Sequence, residues 1–361
     1  MVSQNDHPEY KEIVGAIHLH SSASDGSLPI PEIAEIAQRK DLDYLLFSDH
    51  NTLEPKRQGL EGWQGQVLVL IGYEINDTDD KNHYLAFRLD KEVKGDRAAD
   101  YVKNVHEAGG FGVIAHPAEK RQFSDAYPPY PWTDWSVSQF DGIEIWNQLS
   151  EWMEGVTRAN ILWRIWHPLR SIRFPEWEIL SRWDRLNLER RVVGIGGIDV
   201  HAFTIKILGF IPIEIYPYKV QFKSIRTHML LTRPLHGPQG LLPFVAAEEE
   251  FFSTLRKGRC FISNFSLGDA RGFRFWAESG GTYYPMGSRV AGSGGAVFHI
   301  KVPARGQIRL LHNSRIMVED QSSEMFLYTE RTGVFRVEVF RKGRGWIYSN
   351  PIVILDKEQK A

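Results

Sequence analysis

Histidines at the ends of apolar runs are the first residues in this chain whose placement suggests chemistry. Thirteen histidines are spread over 361 residues. His18-Leu19-His20 follows the first apolar run and Asp49-His50 the second. Glu74 and His116 end later runs, and Asp199-Val200-His201 follows the last of the series. Any one of these alone fits a hydrogen-bonded structural residue better than a ligand. Their joint placement is more specific. Alternate residues of an extended strand face the same way, so His18 and His20 could grip one ion, and Asp199 and His201 a neighbouring one. Imidazoles and carboxylates without thiolates suit Zn2+, Mn2+ or Fe2+.

Such residues must be carried by elements that end on one rim. Strand-like runs occupy residues 14–18, 44–47, 67–75, 83–89, 111–115, 142–146 and 192–198. Pro29 and Pro31 open a helical pattern with Ile33, Ile36 and Ala37 at helical spacing, and residues 96–108 read as a helix ending at Gly109-Gly110. Repeated strand and helix units predict an α/β architecture with a mostly parallel sheet, either a barrel or an open doubly wound sheet. In both, side chains at the carboxyl ends of parallel strands converge, so residues 180 positions apart could meet.

Two stretches break this rhythm. Residues 151–191 carry no strand signal, and residues 132–183 hold eight of the eleven tryptophans, interleaved with Arg158, Arg164, Arg170 and Arg182. The pattern fits an inserted helical pair burying its tryptophans, or a lid over a site. After a helix near residues 243–255, the pattern becomes short alternating strands with Gly-rich turns. Phe335, Val337 and Val339 alternate with Arg336 and Glu338, as expected of a small β-sandwich over residues 266–361. Gly292-Ser293-Gly294-Gly295 reads as a hairpin loop rather than a phosphate cradle, because no helix pattern follows it.

Five segments together resemble, in order, the motifs of the PHP (polymerase and histidinol phosphatase) family. They are G-A-I-H-L-H-S-S-A-S-D-G, Phe47-Ser-Asp-His-Asn-Thr, Gly72-Tyr-Glu-Ile, Val113-Ile-Ala-His-Pro and Gly197-Ile-Asp-Val-His, within residues 10–235. The resemblance implies a distorted (β/α)7 TIM-like barrel over residues 1–265, with a helical insertion at about 148–191, and a site for two to three divalent metal ions, Zn, Mn or Fe. It assigns His18, His20, Glu74 and Asp199 to a first metal. Glu74 would bridge to a second held also by His83 and His116, while Asp25, His50 and His201 would hold a third. His83 depends on a nine-residue gap after Glu74 rather than on a tight motif. Asp49 is expected to orient an imidazole or a loop, or to be a simple turn residue. Looser similarity in Leu255-Arg-Lys-Gly-Arg-Cys-Phe-Ile-Ser and Trp346-Ile-Tyr-Ser-Asn-Pro-Ile points to stand-alone PHP proteins with a C-terminal sandwich, a branch that includes carbaryl-type carbamate hydrolases.

These readings lead to a metal-dependent hydrolase, foremost a phosphoesterase using a metal-bridging hydroxide on a small, anionic, phosphorylated substrate. Glu74, Asp199 and His201 are expected to carry catalysis. Three divalent ions bring about +6, and three carboxylates with a hydroxide leave roughly +2, which matches a phosphate dianion. Lys120, Arg121 and Asn147 are candidate substrate contacts. Carboxylester or carbamate hydrolysis is the alternative of the same class, and a metal-binding module without activity is the third reading.

Composition narrows the field. Hydrophobic residues at 42% and charged residues at 24% exclude a disordered chain, and a net charge of -2 gives no global attraction to nucleic acid, leaving a nucleotide or short oligonucleotide as substrate at most. A single cysteine, Cys260, excludes an internal disulfide or a thiolate zinc cluster. The first residues lack an apolar signal core and no run reaches membrane length, so no membrane association and a cytoplasmic location are expected.

Overall fold

The computed structural model describes residues 9–121, 123, 128–207, 210–237, 240–291 and 294–356. Gly292 and Ser293 of the expected hairpin loop, the first eight residues, and the last five of the expected sandwich lie outside the described residues. The chain is a mixed α/β protein dividing into two compact units. One comprises Val14–Glu176 with Ile195–Thr227, and the other Met1–Ile13, Trp177–Gly194 and His228–Ala361. No helix among the described residues is long and apolar enough to cross a membrane.

Every expected strand is present, the last of them, Val193–Gly197, beginning in the other unit. The strand Lys11–Leu19 pairs in parallel with Tyr44–His50, and Tyr44–His50 pairs in parallel with Val67–Ile75. These strands are buried on both faces, which explains why they read as continuous apolar runs rather than as alternation. The parallel rule then breaks. Tyr84–Phe87 runs antiparallel both to Val67–Ile75 and to Phe111–Ile114, and only then does Gly142–Asn147 return to parallel. The connection after Ile75 is too short for a crossover helix, so the chain turns back as a hairpin. This hairpin brings the nine-residue gap between Glu74 and His83 to a short distance in space.

Residues 148–176 are helical, as their pattern suggests, in Gln148–Glu154, Ile161–Trp166 and the short turn Pro168–Arg170. Asn147 caps the first of these by accepting from the Ser150 amide (2.9 Å). Glu151, half-buried and pushed up to about 7 by desolvation, accepts from Trp146 Nε1 (2.8 Å) and from the amides of Arg173 and Phe174, tying the helical stretch to its own base.

The second unit is largely antiparallel. Ala296–His312 and Arg315–Thr329 form a hairpin of 17- and 15-residue strands, longer than the expected short strands. Gly333–Arg341, Arg344–Ser349 and Ile352–Leu355 extend it. Phe273, Phe275, Phe298, Ile308, Phe335 and Trp346 are among the residues that fill its core. The alternation at 335–339 misled in one respect: Arg336 and Glu338 are buried as well. The reason is the helix Trp177–Glu189, whose Asp184 meets Arg336 Nε at 2.8 Å, while Arg336 Nη1 donates to Glu338 at 2.5 Å. This helix, expected within the insertion of the first domain, therefore belongs by its contacts to the strand-rich unit. Replacing Arg336 by Ala leaves two buried carboxylates without their cation, and urea unfolding should show a loss of about 3–5 kcal/mol; a loss below about 1 kcal/mol, the size of an exposed pair, would refute the buried-network reading.

Candidate metal centre

Backbone geometry at strand ends aims the cluster. The pairing of the first two strands shifts register between Ile17 and Leu19, and His18 sits there with a left-handed φ of 66°. His116 (φ 24°) and Asp199 (φ 49°) are also left-handed. Such angles are costly for residues with a Cβ and cluster at functional positions. His18 and His20 thus converge through a bulge and the end of the strand, not through simple alternation along it. Asp199 and His201 likewise lie in the loop after Val193–Gly197, held by a parallel bridge between Leu19 and Val200.

Glu74 is the centre of the arrangement. Its Oε1 lies 2.7 Å from His83 Nδ1 and 3.1 Å from His116 Nε2. Its Oε2 lies 3.1 Å from His18 Nε2, 3.4 Å from His20 Nε2 and 3.5 Å from His50 Nδ1. Asp199 Oδ1 stands 3.4 Å from His20 Nε2 and 3.6 Å from both His18 and His201. Asp25 Oδ2 meets His201 Nε2 at 3.3 Å and His50 Nε2 at 3.7 Å. All nine expected ligand residues are therefore gathered in one place. Their potential ligand atoms fall into groups lying within 4.8 Å of one another: His20, Asp25, His50 and His201; His18, His20 and Glu74; His18, His116 and Asp199; and His50, Glu74 and His83. The grouping differs in detail from the expected sets, since His20 stands also with Asp25 and His18 also with His116.

The donor set fits divalent cations. Both ring nitrogens of His20, His83 Nε2 and His116 Nδ1 are buried outside hydrogen-bonding geometry with the protein. Orphaned buried lone pairs beside carboxylates are what a cation site leaves when the cation is left out of account. Electrostatics agree. Burial alone would lower His18, but Asp199, Glu144 and Glu74 raise it well above the usual imidazole value. Burial is likewise outweighed at His83, where Glu74 and Asp80 push it up to about 10, and His116 and His201 are also raised. His20 goes the other way, to about 3, because burial is reinforced by His201, stacked at 4.0 Å between ring centroids. Against their own desolvation, Glu74 and Asp199 are held well below the carboxylate range by His18 and its neighbours, and Asp25 is drawn to about 2, with His201 the foremost cause.

Other groups position the cluster. Asp49 accepts from the Ser21 amide and hydroxyl (2.7 Å each) and from Ser24 Oγ (2.7 Å), which makes it the anchor of the loop after His20. Glu144 was missed by the sequence reading. Buried within Gly142–Asn147, it holds His18 Nδ1 at 3.0 Å and accepts from the His116 amide (2.8 Å) and Asn147 Nδ2 (3.0 Å). A carboxylate inside an otherwise apolar strand was the available signal. Asn147, expected at substrate, is engaged with Glu144 and lies 3.4 Å from Asp199. Glu119, also missed, accepts from Arg121 Nε (2.8 Å) and Ser150 Oγ (2.8 Å). Arg121 stacks over Tyr130 at 5.2 Å and lines a cavity of about 820 Å3 together with Asp25, Glu74, His83, His116 and Asp199. Lys120 is paired with Glu176 at 3.4 Å.

No protein-family model and no curated protein matches the chain. Among solved structures, a two-domain protein of Bacteroides vulgatus containing a predicted PHP-like metal-dependent phosphoesterase matches 97% of this chain and 98% of its own, at 15% identity and a TM-score of 0.46. The chain is similar to PHP-like proteins. A proposed metal-dependent phosphoesterase of Bifidobacterium adolescentis matches 52% of the chain and 87% of its own, at 16% identity and a TM-score of 0.36. An amidohydrolase of Chromobacterium violaceum, with bound sulfate and no metal, matches the same shares at 14% identity and 0.34.

The raised imidazoles set the sign of a pH effect. His83 carries a proton below about 10, so a cation bound at pH 7 must displace it, and affinity should climb as pH rises. Titrating the metal-free protein with Zn2+ or Mn2+ in weak buffer should release about one proton per chain or more. Uptake without proton release, and with affinity flat in pH, would show that these imidazoles are not ligands.

Proposed function

We propose that the protein is a metal-dependent hydrolase of PHP type acting on a phosphoester, with its metal centre on the rim of a (β/α)7 barrel within residues 1–265 and residues 266–361 as an accessory sandwich. The supporting observation is Glu74, whose two oxygens are approached from separate sides, Oε1 by His83 and His116 and Oε2 by His18, His20 and His50. A carboxylate so placed is suited to hold two cations at once. His18, His20, Glu74 and Asp199 would hold the first, Glu74, His83 and His116 the second, and Asp25, His50 and His201 the third. When bound, the ions would supply Lewis acidity, activation of water and charge for an anionic ester.

The chain's own residues perform the remaining tasks. Glu144 fixes the His18 ring through Nδ1, leaving Nε2 directed at Glu74. Asp49 fixes the loop that carries Asp25. His201, in contact with Asp25 and Asp199 at the cavity surface, orients these two carboxylates, its Nδ1 3.2 Å from the Asp199 carbonyl. Glu119 holds Arg121 in place to face an incoming anion.

A second reading, cleavage of a carboxylester or carbamate, is favoured by two observations. Glu144 is a further buried carboxylate against His18, which lowers the excess charge of the centre from roughly +2 to about +1. The cavity also has an apolar wall, including Leu149, Trp152 and Ile215.

Two measurements test these assignments. Glu74→Gln should lose metal and activity together, whereas Asp49→Asn should keep metal and lose activity only about 10–100-fold; equal losses with unchanged metal content would remove Glu74 from its central role. For the bond, kcat/KM is compared for an aryl phosphate and for the ester and carbamate of the same phenol. A lead of about tenfold for the neutral substrates, about 1.4 kcal/mol in the transition state, would replace the phosphoesterase reading by the second one.

A further inference from the structure

Leu149, Trp152, Met153 and Val156 recur at the spacing of one helix face on and just beyond Gln148–Glu154, and all four line the cavity. Such a stripe ordinarily buries itself against another element. Here it faces an open volume of about 820 Å3 whose other lining includes Glu74, His83, His116 and Asp199. The stripe is firmly held. Leu149, Trp152 and Val156 are each 5% exposed. Trp152 Nε1 donates to the Arg164 carbonyl at 3.1 Å, Arg164 donates back to the Trp152 carbonyl, and the indole packs 5.7 Å from the Tyr216 ring. Trp152 is therefore fixed as a wall of the cavity.

Outside the candidate metal ligands, the described polar lining is Asn51, Asn76, Asp80, Arg121, Tyr130 and Tyr216, and part of it is already engaged: Asn51 donates to Asn76 at 3.0 Å and Asp80 lies 3.5 Å from His83. The described lining contains one arginine and no lysine, and that arginine already donates to Glu119. A sugar phosphate or a nucleotide would bring hydroxyls or further phosphates that need several fixed donors and acceptors, and a site that buries them unpaired rejects them. An alkyl or aryl group loses nothing against Leu149, Trp152, Met153 and Val156 and gains from leaving water.

We infer that this cavity selects esters whose leaving group is an apolar chain or ring lying along the 149–156 face, and discriminates against sugar phosphates and nucleotides. The inference rests on the hydrolase reading above but not on which bond is cleaved. The test uses the metal-loaded full-length protein and phosphates of primary alcohols, whose similar basicity makes rate differences report contacts. Hexyl phosphate should exceed glycerol 3-phosphate and glucose 6-phosphate in kcat/KM by about tenfold or more. Hexylphosphonate, which cannot be hydrolysed, should inhibit more tightly than methylphosphonate by a similar factor. Trp152→Ala should narrow both ratios, and Met153→Gln, at a less buried position, repeats the comparison should the first variant fail to fold. Equal or higher kcat/KM for the polar phosphates, with equal inhibition by the two phosphonates, overturns the inference and leaves the phosphoesterase intact. Turnover of hexyl acetate over methyl acetate, with no phosphate cleaved, overturns the phosphoester reading and upholds the apolar face.

Discussion

A carboxylate buried among imidazoles is the constraint around which the first unit is organised. Glu74 is almost inaccessible, and a lone ionised carboxylate in that position would be prohibitively costly. Five histidines from four different stretches of chain lie within 3.5 Å of its oxygens. His18, His83 and His116 are raised by the carboxylates beside them while His20 is lowered by burial and by His201, so the cluster behaves as one coupled unit rather than nine separate groups. Removing compensation at one point leaves charge exposed to low dielectric everywhere else. Cations are the compensation that such a donor set accepts most readily.

The backbone makes room for that cluster by departing from regular structure at the points that matter. His18 occupies a bulge, and His18, His116 and Asp199 take left-handed angles that a plain strand would not use. Glu144 then restrains two of the strained stretches at once, with one oxygen on the His18 ring and the other on the His116 amide. The close approach is tight enough that a Cβ at Gly197 would collide with Glu144 Oε1 at 1.7 Å, which explains glycine there. Strain, hydrogen bonding and a missing side chain thus combine at one strand end.

The two units solve the problem of buried charge differently. In the strand-rich unit Arg336 sits between Asp184 and Glu338, so its charge is matched by permanent protein groups. In the other unit the imidazole nitrogens are only partly matched by protein atoms, which is the mark of a site built for something else to bind. The aromatic-rich helical stretch after Asn147 adds specificity to that site by turning an apolar stripe toward it. Of the tryptophans in this stretch, Trp152 is packed against Tyr216 and lines the cavity, whereas Trp163 and Trp166 are exposed, contrary to an insertion that buries its tryptophans.

Much of the cluster was legible in the chain itself, because His18, His20, His50, Glu74, His116, Asp199 and His201 adjoin apolar runs whose ends can be read without knowing their neighbours, whereas Asp25 and His83 follow only from the resemblance to PHP motifs. His18, His20, Asp25, His50, Glu74, His116, Asp199 and His201 all lie in short local motifs. His83 was the weakest, since its distance from Glu74 depends on an antiparallel hairpin that periodicity does not distinguish from a crossover. Tertiary structure alone decided the rest. Glu144 looked like one polar residue in an apolar strand until His18 and the His116 amide were brought against it. Arg336 and Glu338 looked solvated until a helix some 150 residues earlier covered them. Leu149, Trp152, Met153 and Val156 show their common face in the sequence, but whether that face meets a core or a cavity depends on what is packed opposite. A local pattern specifies which side of an element is apolar or charged; only long-range packing determines what that side meets.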